Sequence, residues 1–90
     1  MKQWKLYVLS CKDQSLYCGI TNNLEARIQT HQEGKGAKYT RARLPITLVC
    51  SWDCLDRAHA SRQEYRFKSL PRKKKLLAIQ DPNWVVSSTL

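Results

Sequence analysis

Seven side chains in the sequence carry polar groups that suit chemistry on a phosphodiester: phenols, a guanidinium, an imidazole, a carboxylate and an amine. They are Tyr7, Tyr17, Arg27, His31, Tyr39, Glu64 and Lys68. A guanidinium binds a phosphate through two parallel hydrogen bonds. A phenol has an ordinary pKa near ~10 and acts as a base only where positive charge lowers that value. A single carboxylate is enough for a magnesium ion whose other ligands are waters and phosphate oxygens. The set therefore suits phosphodiester hydrolysis, in which catalysis is mostly positioning and charge neutralisation.

Each of these residues also has a plain structural explanation. Tyrosines in strands usually pack in a core, and Glu64 and Lys68 are spaced as an ordinary i,i+4 pair on a helix surface. A histidine such as His31, near the end of a helix, is favoured there by the helix dipole. The residues by themselves therefore predict a basic, nucleic-acid-binding protein and leave catalysis open.

The charge of the chain indicates the class of partner. Sixteen Lys and Arg against seven Asp and Glu give a formal charge of +9 in 90 residues. This imbalance favours a polyanion, bound with release of counterions. Nucleic acid is preferred to a membrane, because no basic helix carries a bulky apolar face and no apolar run approaches the ~20 residues of a span.

Composition also indicates the compartment and the number of domains. Ninety residues suffice for one core, and the N-terminus lacks the apolar segment of a signal peptide. The four cysteines lack the paired C-x2-C spacing of a zinc ribbon. We therefore expect a cytoplasmic protein with reduced thiols.

Two strand-like runs, residues 4–10 and 15–20, predict a β-hairpin. Directly opposed residues of an antiparallel pair lie on the same face of the sheet. A register in which the paired residue numbers have an even sum therefore places Tyr7 and Tyr17 on one face, and an odd register separates them. The turn sequence does not decide between the two.

The rest of the chain predicts helices around one further strand. A helix should begin at a capping box of Asn22 and Glu25, bury Leu24 and Ile28, and end at Gly34. A basic loop then leads to a strand over 46–53. Further helices should follow an N-cap at Asp56 and the proline at position 71. The tail around residues 84–86 should form an extra strand or stay mobile. The order β-β-α-β-α-α predicts an α+β fold, a small three-stranded antiparallel sheet flanked by helices.

The order of these motifs resembles that of the GIY-YIG nuclease superfamily. The tripeptide LYV at 6–8 is followed by YCG at 17–19, then by GITNNLEARI, GKGAKYTRAR and finally Glu64 with Lys68. The resemblance covers residues 3–79 and is closest to small, stand-alone, single-domain bacterial-type members. It implies a nuclease domain over 1–79 and a C-terminal tail over 80–90. The first tripeptide keeps only its tyrosine, Cys18 replaces an isoleucine, and Ile20 stands where some relatives have a lysine.

The resemblance also implies roles for the polar residues. Tyr7 or Tyr17 would deprotonate the attacking water, and the choice between them stays open. Arg27 would hold the scissile phosphate, and Glu64 would be the sole protein ligand of one Mg²⁺ or Mn²⁺ ion. His31 would relay a proton or orient a tyrosine. Tyr39 and Lys68 would have supporting roles.

The function implied is metal-dependent endonucleolytic hydrolysis of DNA, selective for structured substrates in repair or recombination. The residues expected to bind phosphates are Lys35, Lys38, Arg41, Arg43, Arg72, Lys73, Lys74 and Lys75. The alternatives are a non-catalytic nucleic-acid-binding module with the same fold and a nuclease that needs a protein partner for substrate choice. The presence of both Arg27 and Glu64 favours the enzyme.

Overall fold

The centre of the fold is a three-stranded antiparallel sheet. The structure is a computed structural model that describes residues 3–87. The strands are β1 (Lys5–Ser10), β2 (Leu16–Thr21) and β3 (Thr47–Asp53). Their order is β2-β1-β3, so the first strand is central and β2 is an edge strand.

The turn between β1 and β2 sets the register of the hairpin. Asp13 Oδ1 accepts hydrogen bonds from the backbone N–H and the hydroxyl of Ser15, and Gln14 adopts a positive φ of 66°. This five-residue turn pairs Ser10 with Leu16, and the register then pairs Tyr7 with Gly19. Paired residue numbers have an even sum, so Tyr7 and Tyr17 lie on the same face of the sheet.

Five helices flank the sheet in the described part of the chain. They are α1 (Leu24–Gln32), α2 (Lys38–Arg41), α3 (Arg57–Lys68), α4 (Arg72–Ala78) and α5 (Trp84–Ser87). The N-cap of α1 is Asn23, whose Oδ1 accepts from the N–H of Ala26. The prediction of Asn22 as the cap was therefore wrong by one residue. Gly34 follows the helix with a φ of 76°, as expected for a glycine stop.

Alternation along the strands gives the sheet two apolar faces. The larger core lies on the face covered by α3, α4 and α5. Its buried side chains include Leu6, Val8, Cys18, Trp52, Ala60, Phe67 and Trp84. The smaller core lies on the opposite face, where Leu24 and Ile28 of α1 pack as predicted against a cluster that contains Tyr7 and Leu9. The tyrosines of the hairpin therefore face α1.

The α+β class and the three-stranded sheet with flanking helices are confirmed. Two short helices depart from the expectation. The basic loop contains one helical turn, α2, because the carbonyl of Ala37 accepts from the N–H of Arg41. The tail is also helical at α5, where the N–H of Trp84 donates to the carbonyl of Asp81. No helix within residues 3–87 is long and apolar enough to cross a membrane.

The C-terminal tryptophan is a part of the larger core. Trp84 is 8% exposed, and its ring centroid lies 5.3 Å from that of Trp52 and 5.7 Å from that of Phe67. Trp52 Nε1 also donates to the carbonyl of Asp81, which ties the tail to β3. The tail therefore closes the face of the core that α3 and α4 leave open.

We expect Trp84→Ala to lower the free energy of unfolding by about 3 kcal/mol, because it removes a large buried aromatic side chain. Urea denaturation followed by circular dichroism measures this. The matched control is Tyr65→Ala, because Tyr65 is 77% exposed and should change stability by less than about 0.5 kcal/mol. Equal stabilities for the two variants would contradict a structural role for Trp84.

Candidate active site

A buried hydrogen bond joins the first hairpin tyrosine to the histidine of α1. Tyr7 Oη lies 2.9 Å from His31 Nε2. Tyr7 is 1% exposed and His31 is fully buried. The position of the Tyr7 ring over β2 depends on Gly19, because a Cβ there would lie 2.6 Å from the Tyr7 hydroxyl oxygen.

Aromatic rings extend this pair toward solvent. The Tyr17 ring centroid lies 6.5 Å from that of Tyr7 and 5.4 Å from that of His31. Tyr39 stacks on Tyr17 at 6.1 Å with an interplanar angle of 24°. The Arg43 guanidinium in turn lies 3.8 Å from the Tyr39 ring centroid. The rings form a continuous wall from the buried pair to the surface.

Burial and the charge of Arg27 together set the protonation of the pair. Burial raises the pKa of Tyr7 to about 12, and the Arg27 side chain opposes part of that rise. Burial lowers the pKa of His31, and Arg27 lowers it further. At neutral pH the phenol is therefore protonated and the imidazole is neutral. Burial also raises the pKa of Tyr17, against the charges of Lys68 and Arg27.

The helix on the other face contributes the carboxylate and the amine. The Glu64 carboxylate forms an ion pair with the Lys68 amine, in which Oε2 and Nζ lie 3.5 Å apart, and the Glu64 side chain is 26% exposed. The Glu64 charge raises the pKa of both Tyr7 and Tyr17, so the carboxylate lies within electrostatic range of both phenols. The α3 helix packs against β2, the edge strand that carries Tyr17. The structure thus brings together the residues that the sequence analysis singled out, Tyr7, Tyr17, Arg27, His31, Tyr39, Glu64 and Lys68.

The acidic side chain of the site suits a metal ion held by one carboxylate, waters and phosphate oxygens, and not an ion enclosed by several protein ligands. Within residues 3–87, no group of three His, Cys, Asp or Glu side chains could enclose a metal ion. A half-buried single carboxylate, whose charge acts on the same two tyrosines as the charge of Arg27, fits a hard cation that keeps waters and takes ligands from a phosphate. Glu64 is the residue that would hold such an ion.

The basic residues named from the sequence fall into two groups. Lys35, Lys38 and Arg41 are exposed in and before α2, close in sequence to Tyr39. Arg43 is engaged within the protein, because its Nε donates to Asp13 at 3.1 Å and its Nη1 to the carbonyl of Tyr39. On α4, Arg72 donates to the Gln14 carbonyl and the Lys75 amine lies 6.0 Å from the Phe67 ring centroid. Lys73 and Lys74 are exposed.

Three residues at the site were missed from the sequence. Gly19 and Gly36 lie against the rings of Tyr7 and His31, and a Cβ on either would overlap the ring. Thr40, in α2, is fully buried and its hydroxyl lies 2.8 Å from His31 Nδ1. The glycines were visible as a glycine after a strand tyrosine and a glycine-rich loop, which signal close approach. No sequence signal pointed to the threonine.

Known proteins resemble the chain over most of its length. The family model of the GIY-YIG catalytic domain matches residues 3–76. A UPF0213 protein of Oceanobacillus iheyensis is 49% identical over 79 residues, which cover 88% of this chain and 92% of that protein. The solution NMR structure of a UPF0213 protein from Bacillus halodurans superposes with a TM-score of 0.57 at 40% identity, covering 96% of this chain and 94% of the other. The NMR structure of a protein from E. faecalis gives a TM-score of 0.59 at 38% identity, with coverages of 86% and 83%.

Proposed function

The chain belongs to the GIY-YIG catalytic-domain family, and from that premise we propose that it is a metal-dependent endonuclease that hydrolyses phosphodiester bonds of DNA. The observation that carries the proposal is the Tyr7–His31 hydrogen bond, in a cluster that also holds Arg27 and Glu64. A phenol hydrogen-bonded to a neutral imidazole can accept a proton on its oxygen while it passes its own proton to the imidazole. A guanidinium and a carboxylate beside it serve to bind a phosphate and a cation.

The proton transfer uses the protonated phenol and the neutral imidazole as they stand. One water proton passes to Tyr7 Oη while the Tyr7 proton passes to His31 Nε2. The resulting hydroxide bonds to phosphorus, the P–O ester bond breaks, and the leaving oxygen takes a proton from solvent. Because the pKa of Tyr7 is about 12, a free phenolate is scarce at neutral pH. The pair therefore accepts the proton through the histidine.

Arg27 and Glu64 neutralise charge around the reacting phosphate. Arg27 binds its non-bridging oxygens and stabilises the charge that develops on them. Glu64 holds a single divalent cation, Mg²⁺ or Mn²⁺, which when bound supplies Lewis-acid stabilisation of the phosphate. Lys68 keeps the Glu64 carboxylate oriented through their ion pair, and Tyr39 packs against Tyr17.

Substrate binding rests on exposed positive charge. The phosphates next to the active site are bound by the exposed residues Lys35, Lys38 and Arg41. The same basic surface continues on α4 with Lys73 and Lys74. Three further basic residues add positive charge to this surface while each also contacts the protein: Arg43, Arg72 and Lys75. With no base-reading element among these residues, selectivity follows the shape of the nucleic acid, as in repair or recombination, or comes from a protein partner. The four free cysteines fit a reducing, cytoplasmic location.

The test is cleavage of end-labelled single strands, duplexes, flaps, branched junctions and RNA, with Mg²⁺, Mn²⁺ or EDTA. We expect metal-dependent cutting of at least one DNA structure. Binding of the same panel without any cutting would refute a nuclease that acts on its own, and would leave the non-catalytic module and the nuclease that needs a protein partner. Cutting of RNA alone would refute the substrate class.

The pH dependence of cleavage distinguishes proton transfer through His31 from direct proton abstraction by a phenolate. We expect kcat/KM to rise with pH through the pKa of His31, which lies below its usual ~6.5, and then to level off across neutral pH. The neutral imidazole accepts the proton, so protonation at lower pH removes the base. The charged and titratable groups that face it are Arg27 from α1 and Tyr7 and Tyr17 from the strands. Rates measured from about pH 5 to about pH 9 test this, and a continued rise of about tenfold per pH unit above neutrality would instead identify a titrating phenol.

A further inference from the structure

The imidazole of His31 is held on three sides. Its Nε2 lies 2.9 Å from Tyr7 Oη and its Nδ1 lies 2.8 Å from Thr40 Oγ1. The backbone of Gly36 approaches the ring so closely that a Cβ there would overlap it. Both His31 and Thr40 are fully buried, so water cannot replace either hydrogen bond.

The hydroxyl of Thr40 has a single proton, and its second contact shows where that proton goes. Thr40 Oγ1 lies 3.0 Å from the carbonyl oxygen of Ala37, and a carbonyl can only accept. If the hydroxyl donated to His31 instead, two oxygen atoms would face each other at 3.0 Å without a proton between them. The arrangement that satisfies both contacts has Thr40 donating to Ala37 and accepting from His31 Nδ1–H.

We infer that Thr40 is a positioning residue that holds His31 in its Nδ1–H tautomer, so that Nε2 presents a lone pair to the Tyr7 hydroxyl. The hydrogen bonds then all run in one direction, from Tyr7 through His31 and Thr40 to the Ala37 carbonyl. The oxygen of Tyr7 is left free to accept a proton. With the opposite tautomer Nε2–H would donate to Tyr7, and the histidine could not take the phenol proton.

The consequence for cleavage rests on the proposed function. When Nε2 accepts the Tyr7 proton, His31 becomes an imidazolium with protons on both nitrogens. Its Nδ1–H already donates to Thr40, whose own proton is donated to the Ala37 carbonyl. The positive charge of the imidazolium is therefore stabilised by a hydrogen bond that is already in place, and no side chain has to rotate. An acceptor that receives the second N–H of the reacting histidine in this way is a common device for orienting a general base.

The tautomer can be measured without any cleavage. In ¹⁵N-labelled protein, long-range ¹H–¹⁵N correlations of the two imidazoles distinguish Nδ1–H from Nε2–H. His59 is an internal reference, because its Nδ1 accepts from the backbone N–H of Leu55 and its proton must lie on Nε2. We expect His31 and His59 to show opposite tautomers in the wild-type spectrum. An Nε2–H tautomer at His31 would overturn the inference whatever the cleavage assay gives.

Two substitutions at Thr40 separate the hydrogen bond from the packing. Thr40→Ser keeps the hydroxyl and should keep the Nδ1–H tautomer. Thr40→Val keeps the shape and should shift His31 toward Nε2–H, with a fall in cleavage of about 100-fold that Thr40→Ser does not show. An unchanged tautomer in a folded Thr40→Val protein would refute the inference. If Thr40→Val does not fold, the wild-type and Thr40→Ser spectra still decide. The inferred tautomer in a protein that cuts nothing, alone or with a cell extract, would refute the nuclease and leave the inference about Thr40 intact.

Discussion

Glu64→Gln is expected to lower metal-dependent cleavage by at least about 10³-fold, the loss that follows when a charge-neutralising cation is no longer held at the phosphate. Glutamine preserves the size of the side chain and a hydrogen-bonding oxygen, so the variant removes mainly the negative charge. Glu64 is the acidic residue whose charge acts on both hairpin tyrosines. Single-turnover cleavage at a series of Mg²⁺ concentrations measures the effect.

The affinity for DNA must be measured together with the cleavage rate, since weaker binding of DNA would also lower the amount of product. The affinity for DNA, measured by fluorescence anisotropy in EDTA, should be unchanged in Glu64→Gln, because a carboxylate makes no favourable contact with the phosphates of DNA. Glu25→Gln is the matched control: Glu25 is an exposed acid in the first turn of α1, and its neutralisation should leave cleavage at the wild-type rate. Full activity in Glu64→Gln would refute the role of Glu64 as metal ligand.

Arg27→Ala is expected to reduce cleavage by about 10³-fold, because a guanidinium that stabilises charge on a transferring phosphoryl group contributes on this scale. The fold should survive, since the face of α1 that packs in the smaller core is formed by Leu24 and Ile28 and not by Arg27. Circular dichroism should show unchanged helicity. A variant that unfolds would instead identify a structural arginine.

A second readout of Arg27→Ala needs no substrate. The positive charge of Arg27 lowers the pKa of His31, so removing that charge should raise the pKa of His31 toward its ordinary value. An NMR titration of the His31 ring protons measures this shift. Arg62→Ala removes an exposed arginine from α3 and should leave both the titration and the cleavage rate unchanged. An unmoved His31 pKa in Arg27→Ala would contradict the proximity of the two side chains.

The two sets of variants also separate the candidate functions. A protein that binds DNA, cuts it with Mg²⁺ and loses cutting at Glu64 and Arg27 is a nuclease. If the wild type binds without cutting, the variants should matter only for binding, and Arg27→Ala alone should weaken it. A wild type that cuts only after addition of a cell extract, with the same dependence on Glu64, would indicate a nuclease that needs a partner.

Sequence patterns alone predicted the fold class, most of the elements and the residues of the candidate site. β-Branched and aromatic runs predicted three strands, and glycine, asparagine and aspartate placed the ends of helices within one or two residues. These signals are local, since a capping side chain or an alternating strand acts on its own neighbours. The order of tyrosines, arginine, histidine and glutamate along the chain then predicted which residues meet. Their catalytic roles stay predictions.

How those residues meet depends on contacts that form only in the folded protein. The parity of the hairpin register depends on the Asp13–Ser15 turn and the positive φ of Gln14, and one residue more or fewer in that turn would have placed Tyr7 and Tyr17 on opposite faces. Thr40 reaches His31 because one helical turn forms in a segment that the sequence predicts as a loop. Trp84 joins the core through contacts with residues far away in the chain. Local propensity carries no information about such contacts, because they depend on which surfaces pack once all the elements have formed.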